Sequence, residues 1–167
     1  MKRIEIRNAS GVPYFLSSAV MKTRIFLFLL LSSFFAQAQL LDPVKWSYLS
    51  KKLKNNEAEV YIKASMAPGW HIYAMQFNEP PMSTSFRFTP SPSYALIGKV
   101  KEPKSVAKYD KNFKKNLYFF EKEVVFTQKI KLLKANGSVN GVLEFMACND
   151  KSCLPAKEVS FQIPVSR

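Results

Sequence analysis

The sequence is poor in several things at once. It has one histidine, two cysteines and five glycines among 167 residues. A single histidine, with no Ser or Cys elbow flanked by glycine and no localisable carboxylate pair, gives conventional hydrolase chemistry no support. Acidic residues are scarce: 12 Asp and Glu stand against 25 Lys and Arg, for a formal net charge of +13. No apolar run reaches the roughly 20 residues needed to span a bilayer. The longest, Ile25 to Phe35, is too short for a transmembrane helix.

That short run has a different use. Met21-Lys22-Thr23-Arg24 precedes it as a basic opening, and Ala36-Gln37-Ala38 follows as a small-x-small cleavage pattern. The three parts in this order predict a secretory signal peptide over 21–38. Residues 1–20 lie upstream of it and fit no part of the pattern, so they are expected to be a gene-model extension ahead of a true start at Met21. The mature domain is then 39–167. It is expected to be periplasmic or otherwise exported, with no stable membrane insertion after cleavage. Nucleic acid is not an expected partner in that compartment. The positive charge favours acidic partners or an anionic membrane face, although most of it is scattered lysine, which also serves solubility.

What the mature chain does have is short alternating segments. In Glu57–Ala67, Val60, Ile62, Ala64 and Met66 fall on one face and Glu59, Tyr61, Lys63 and Ser65 on the other. This period of two predicts a half-buried strand. Val44–Leu49, Trp70–Ala74, Ser83–Thr89, Tyr94–Ile97, Leu117–Phe120, Val124–Leu133, Val142–Ala147 and Glu158–Val165 read as further strands, most of them separated by Pro, Gly or Asn breaks. Lys99–Asn116 reads as a long irregular stretch. Asn136-Gly137 is the strongest hairpin signal, with Val142–Ala147 expected to pair back after it. No helical repeat appears. Eight or nine short strands with turn signals predict an all-β, antiparallel β-sandwich.

Both cysteines lie near the C-terminus, in Met146-Ala147-Cys148-Asn149-Asp150-Lys151-Ser152-Cys153-Leu154-Pro155. An exported chain with an even cysteine count lives where disulfides form. If Val142–Ala147 and Glu158–Val165 are neighbours, the pair sits at the mouth of their connection. By the chain-entropy model so small a ring contributes only about 2 kcal/mol. The spacing is not the C-x-x-C of thioredoxin-like proteins, and no helix follows to lower a thiol pKa. Spacing alone leaves a structural staple and a redox pair both open.

The cysteine segment, closing a sandwich and followed by one last strand, resembles the N-terminal periplasmic domain family of the thiol:disulfide interchange protein DsbD. Gly69-Trp70-His71-Ile72-Tyr73-Ala74-Met75-Gln76 resembles that family's Gly-aromatic-aromatic-aliphatic-Tyr segment. Tyr109-Asp110-Lys111-Asn112-Phe113 and the following Leu117–Phe120 resemble its cap-loop region. The resemblance implies an immunoglobulin-like module that relays electrons from a membrane-embedded thiol reductase to exported thioredoxin-like proteins, as a component of a protein-disulfide reductase system. It implies Cys153 as the sulfur in the mixed disulfide and Cys148 as the resolving one. Phe113 would be the cap over the pair, with His71 and Tyr73 lining the site. No cofactor and no metal are implied. The sequence departs from the family in having four residues between the cysteines where better-known members have five. Family members also continue into a membrane domain, so a chain ending at Arg167 is expected to use a separate electron donor.

Two other readings compete. One is an exported binding module whose disulfide only pins a loop. The other is a copper carrier, since Met66, His71, Met75, Met82, Met146 and the cysteines are soft ligands of the kind Cu(I) prefers.

Overall fold

The computed structural model describes residues 41–76, 79 and 83–167. The predicted signal peptide, the extension before it and Met82 lie outside the described residues. From Asp42 onward the chain is one compact unit.

Eleven strands follow in order: β1 Val44–Lys52, β2 Glu57–Met66, β3 His71–Tyr73, β4 Ser85–Phe88, β5 Tyr94–Lys101, β6 Val106–Asp110, β7 Lys115–Glu121, β8 Glu123–Leu132, β9 Asn136–Phe145, β10 Ala147–Cys148 and β11 Lys157–Ser166. They form three antiparallel sheets, ordered β1-β2-β8-β5, β11-β9-β4 and β10-β3-β7-β6. The alternation read in the sequence is what buries. Along β2 and β8 every second residue is buried, including Val60, Ile62 and Ala64 and, opposite them, Val124, Phe126, Ile130 and Leu132. On β11, Phe161, Ile163 and Val165 do the same. These faces make an immunoglobulin-like sandwich.

One residue shows how the sheets share a core. Phe126 is fully buried, and its ring meets Trp46 of β1 at 6.3 Å, Phe86 of β4 at 5.0 Å and Phe120 of β7 at 5.9 Å. Each sheet therefore contributes an aromatic to the same centre. Met66 is buried there, Met75 packs against it, and Met146 packs elsewhere beside Cys148. These methionines fill irregular gaps, a use that suits their flexibility.

Three readings are corrected. Asn136-Gly137 is not a turn; both residues open β9, paired with Ser166 and Val165. Nor does β9 return along β8. It pairs with β11 and β4 in the other sheet, so the chain crosses the sandwich after Leu132. A Cβ on Gly137 would lie 2.8 Å from Cβ of Ser93. Glycine stands there for a close approach, not for a turn. The stretch Lys99–Asn116 is also more ordered than read: it holds the end of β5, all of β6 and the first residues of β7.

The β1–β2 hairpin turns at two asparagines. Asn55 and Asn56 both take positive φ, 58° and 56°, the backbone that two-residue hairpin turns require and asparagine tolerates.

Candidate functional site

The site grows from the smallest sheet. β3 has only three residues and lies between β10 and β7. Its register sets His71 opposite Cys148 on one side and opposite Glu121 on the other, with Tyr73 opposite Phe119. Successive strand residues face opposite ways. Ile72, Phe120 and Ala147 accordingly join the main core. Tyr73, Leu117, Phe119 and Cys148 form a separate buried cluster, with Met146 and Cys153 against it. The sheet thus has one face for the fold and one for the cysteines.

Chain direction is what delivers Cys148 to that face. After Phe145 the chain leaves β9 and makes a two-residue strand against β3. Cys148 and Cys153 are bonded, their Cα atoms 4.0 Å apart, and they face each other as an antiparallel bridge. The loop between them is held by Asn149. Its Oδ1 accepts the backbone N–H groups of Lys151 and Ser152, both at 2.9 Å, and its own N–H donates to Ser152 O. Leu154 N–H then donates to Ala147 O at 2.9 Å. Asn is suited to this because its side chain imitates a backbone turn. The two sulfurs differ in setting: Cys148 is fully buried, whereas Cys153 is half-buried.

Across from this loop is the turn joining β6 to β7, residues 111–114. Asp110 organises it. One carboxylate oxygen accepts the backbone N–H of Asn112 at 2.8 Å and of Phe113 at 3.0 Å. The other accepts the Tyr73 hydroxyl at 2.6 Å. Asn112 then donates from its side chain to Asn149 O at 3.1 Å, which ties the turn to the cysteine loop. The Phe113 ring stands edge-on to Tyr73, centroids 5.9 Å apart, and is 37% exposed.

His71 packs on Tyr73 and Phe119, with centroids at 5.3 and 4.7 Å. Its Nε2 is buried with no hydrogen-bond partner and lies 3.7 Å from Asp110 Oδ2. That is beyond hydrogen-bond reach but close enough for attraction. Burial lowers the His71 pKa; nearby Asp110, Glu121 and Asp150 oppose the shift and Lys108 adds to it. For Asp110, burial pushes the pKa up, but the hydrogen bonds from Tyr73, Phe113 and Asn112 and the nearby His71 outweigh it, and the net shift is downward. Tyr73 is raised, first by burial and then by its bond to Asp110. It therefore stays a phenol and a donor.

The structure brings Cys148, Cys153, His71 and Tyr73 together and seats Phe113 on Tyr73. Asp110, Asn112 and Asn149, which the sequence does not single out as site residues, hold the two loops. The available signal was an Asx residue at the head of each turn. Among the described residues no group of three or more His, Cys, Asp or Glu side chains is placed to hold a metal.

The family model for the N-terminal region of the thiol:disulfide interchange protein DsbD matches residues 37–164. Two solved structures are similar in fold. The N-terminal periplasmic domain of ScsB from Proteus mirabilis superposes with a TM-score of 0.56 at 21% identity, covering 73% of this chain and 46% of that one. The DsbD N-terminal domain of Neisseria meningitidis, in its reduced form, superposes with a TM-score of 0.53 at 20% identity, covering 77% of this chain and 92% of that one. The chain thus spans less than half of the Proteus chain it matches. No curated protein sequence matches it significantly.

Proposed function

Because the chain belongs to the family of DsbD N-terminal domains, we propose that it is an exported thiol–disulfide exchange module working through Cys148 and Cys153. The observation that carries this reading is the asymmetric placement of the bonded pair. One sulfur is fully buried against His71 and Tyr73, and the other is half-buried at the loop's far side. A bond meant only to stabilise gains little from closing so small a ring, and it needs no such difference between its ends.

In this reading a partner thiolate attacks Cys153 Sγ. The Cys148–Cys153 bond breaks, Cys148 leaves as a thiolate, and a mixed disulfide joins Cys153 to the partner. A second partner thiol then attacks the partner's sulfur and frees Cys153. Two electrons have passed to this domain, and the partner is oxidised. Run in reverse, the reduced pair passes them on. The donor is a membrane-embedded thiol reductase and the acceptors are thioredoxin-like exported proteins. Phe113 is the cap over the pair, and Asp110 keeps its turn closed through Tyr73 and the two backbone N–H groups.

Substitution Cys148→Ser tests this. It removes the resolving sulfur, so exported fractions should accumulate a mixed disulfide through Cys153, identifiable by mass spectrometry as a thioredoxin-like or membrane thiol protein. If neither single-cysteine variant forms an adduct, the relay reading is lost.

A further inference from the structure

The hairpin of β6 and β7 stands beside the cysteine loop, and its outer strand is open. Among the described residues β6 ends its sheet, with β7 on one side and no strand on the other. Four of its five residues are exposed; Val106 is 61% and Tyr109 58% accessible. The adjoining turn adds Phe113, so apolar groups of unusual exposure gather at the edge of the site.

The charge on this hairpin is one-sided. Lys108, Lys111, Lys114 and Lys115 lie on it. Asp110 is buried and bonded to Tyr73. Glu121 lies 3.8 Å from Lys108, whose ammonium also sits 5.8 Å from the centre of the Phe119 ring. Lys111, Lys114 and Lys115 make no ion pair among the described residues. Lys108 and Lys111 line the small pocket that also meets His71, Asp110, Asn149 and Asp150, so this charge begins at the site itself.

We propose that this hairpin is the docking surface for the exchange partner, and that it selects a partner whose reactive cysteine is flanked by carboxylates. The inference rests on the exchange reading above and names the chemistry of its partner. Acidic groups beside the incoming thiol meet Lys111 and Lys114, while the apolar part of the partner covers Phe113 and Val106, which lies on the same face of β6 as Asp110. Complementary charge of this kind acts mainly on the encounter rate and fades as salt screens it.

The test uses three short peptides, each with one central cysteine flanked by Glu, Ser or Lys. In each reaction the peptide thiolate forms a disulfide with Cys153 and Cys148 leaves as thiolate. Flanking charge also alters the peptide's own thiol, so each rate is divided by that peptide's rate on hydroxyethyl disulfide, which is neutral. At low salt the expected order is Glu over Ser over Lys, with about tenfold or more between the extremes, shrinking as ionic strength rises. The double substitution Lys111→Glu with Lys114→Glu should invert the order; both side chains are exposed, so the fold is kept. Equal normalised rates, or an order that the double substitution leaves unchanged, would overturn the docking proposal alone. Failure of all three peptides to react would remove the exchange reading together with it. Phosphatidylglycerol vesicles supply the remaining arm. If the double substitution abolishes vesicle binding while the peptide order stays as it was, these lysines serve a lipid surface and the proposal is wrong.

Discussion

At the residue scale, Asp110 holds the site together. One buried carboxylate satisfies a phenol and two backbone donors and stands near an imidazole whose buried Nε2 has no hydrogen-bond partner. Substitution Asp110→Ala would leave those donors without an acceptor, at a cost of about 1–3 kcal/mol. Much of that cost should appear as loosening of the 111–114 turn. Reduction of the Cys148–Cys153 bond by dithiothreitol should then speed up by about tenfold, the factor that 1.4 kcal/mol represents. An unchanged rate would show that the turn does not shield the sulfurs. His71 and Asp110 also set a pH dependence. His71 has a folded pKa below its ordinary 6.5, so the unfolded chain binds the proton more readily. Its contribution to stability is complete above pH 6.5 and is lost as pH falls through the folded value. Asp110, lowered from 3.8, keeps its contribution until still lower pH. Denaturant melts should therefore weaken first as pH falls below about 6.5, and a His71→Phe variant should lose that first step while keeping the second. These roles were only partly visible in the sequence. Two positions apart on one short strand, His71 and Tyr73 share a face, but nothing local reveals that a residue 37 positions away from Tyr73 receives its hydroxyl.

At the scale of elements, strands that bury one face were legible and strands that bury neither were not. β2, β8 and β11 announce themselves because each has a core to face. β6 is an edge strand with four exposed residues; its sequence has no alternation to read, so it passed for irregular chain. The Asn136-Gly137 pair misled for a related reason. Glycine is favoured both in tight hairpin turns and where two backbones come close, and local sequence does not separate the two cases. Gly141 makes the same point more strongly. A Cβ there would lie 2.5 Å from the Arg87 carbonyl and 2.5 Å from the Phe161 ring. The Gly141→Val variant should destabilise the β11-β9-β4 sheet by about 1–3 kcal/mol, the usual cost of overpacking, measurable by urea unfolding. A melt matching the parent would mean that Phe161 and β4 can yield.

For the whole molecule, three sheets meet on one centre, and the cysteines lie outside it. Phe126→Ala should cost about 3–5 kcal/mol, the range for emptying a large aromatic site, because rings from all three sheets lose their shared partner. Breaking the Cys148–Cys153 bond should cost far less, about 2 kcal/mol by the small-loop estimate. The fold then survives reduction, as a domain that cycles between states requires. Comparing the urea midpoints of oxidised and reduced protein checks that difference; collapse on reduction would mark the bond as a structural staple. The sandwich itself was readable from strand patterning, and the family from the cysteine motif. The cross-sheet path of β9 was not, since it depends on which faces meet after the chain has collapsed. If Cys148 and Cys153 form an exchanging couple, their reduction potential must show it. Equilibration against graded dithiothreitol mixtures, read by alkylation and mass spectrometry, should give a value above about −300 mV, where exchanging disulfides lie. A value below about −300 mV, in the range of structural bridges, would contradict it.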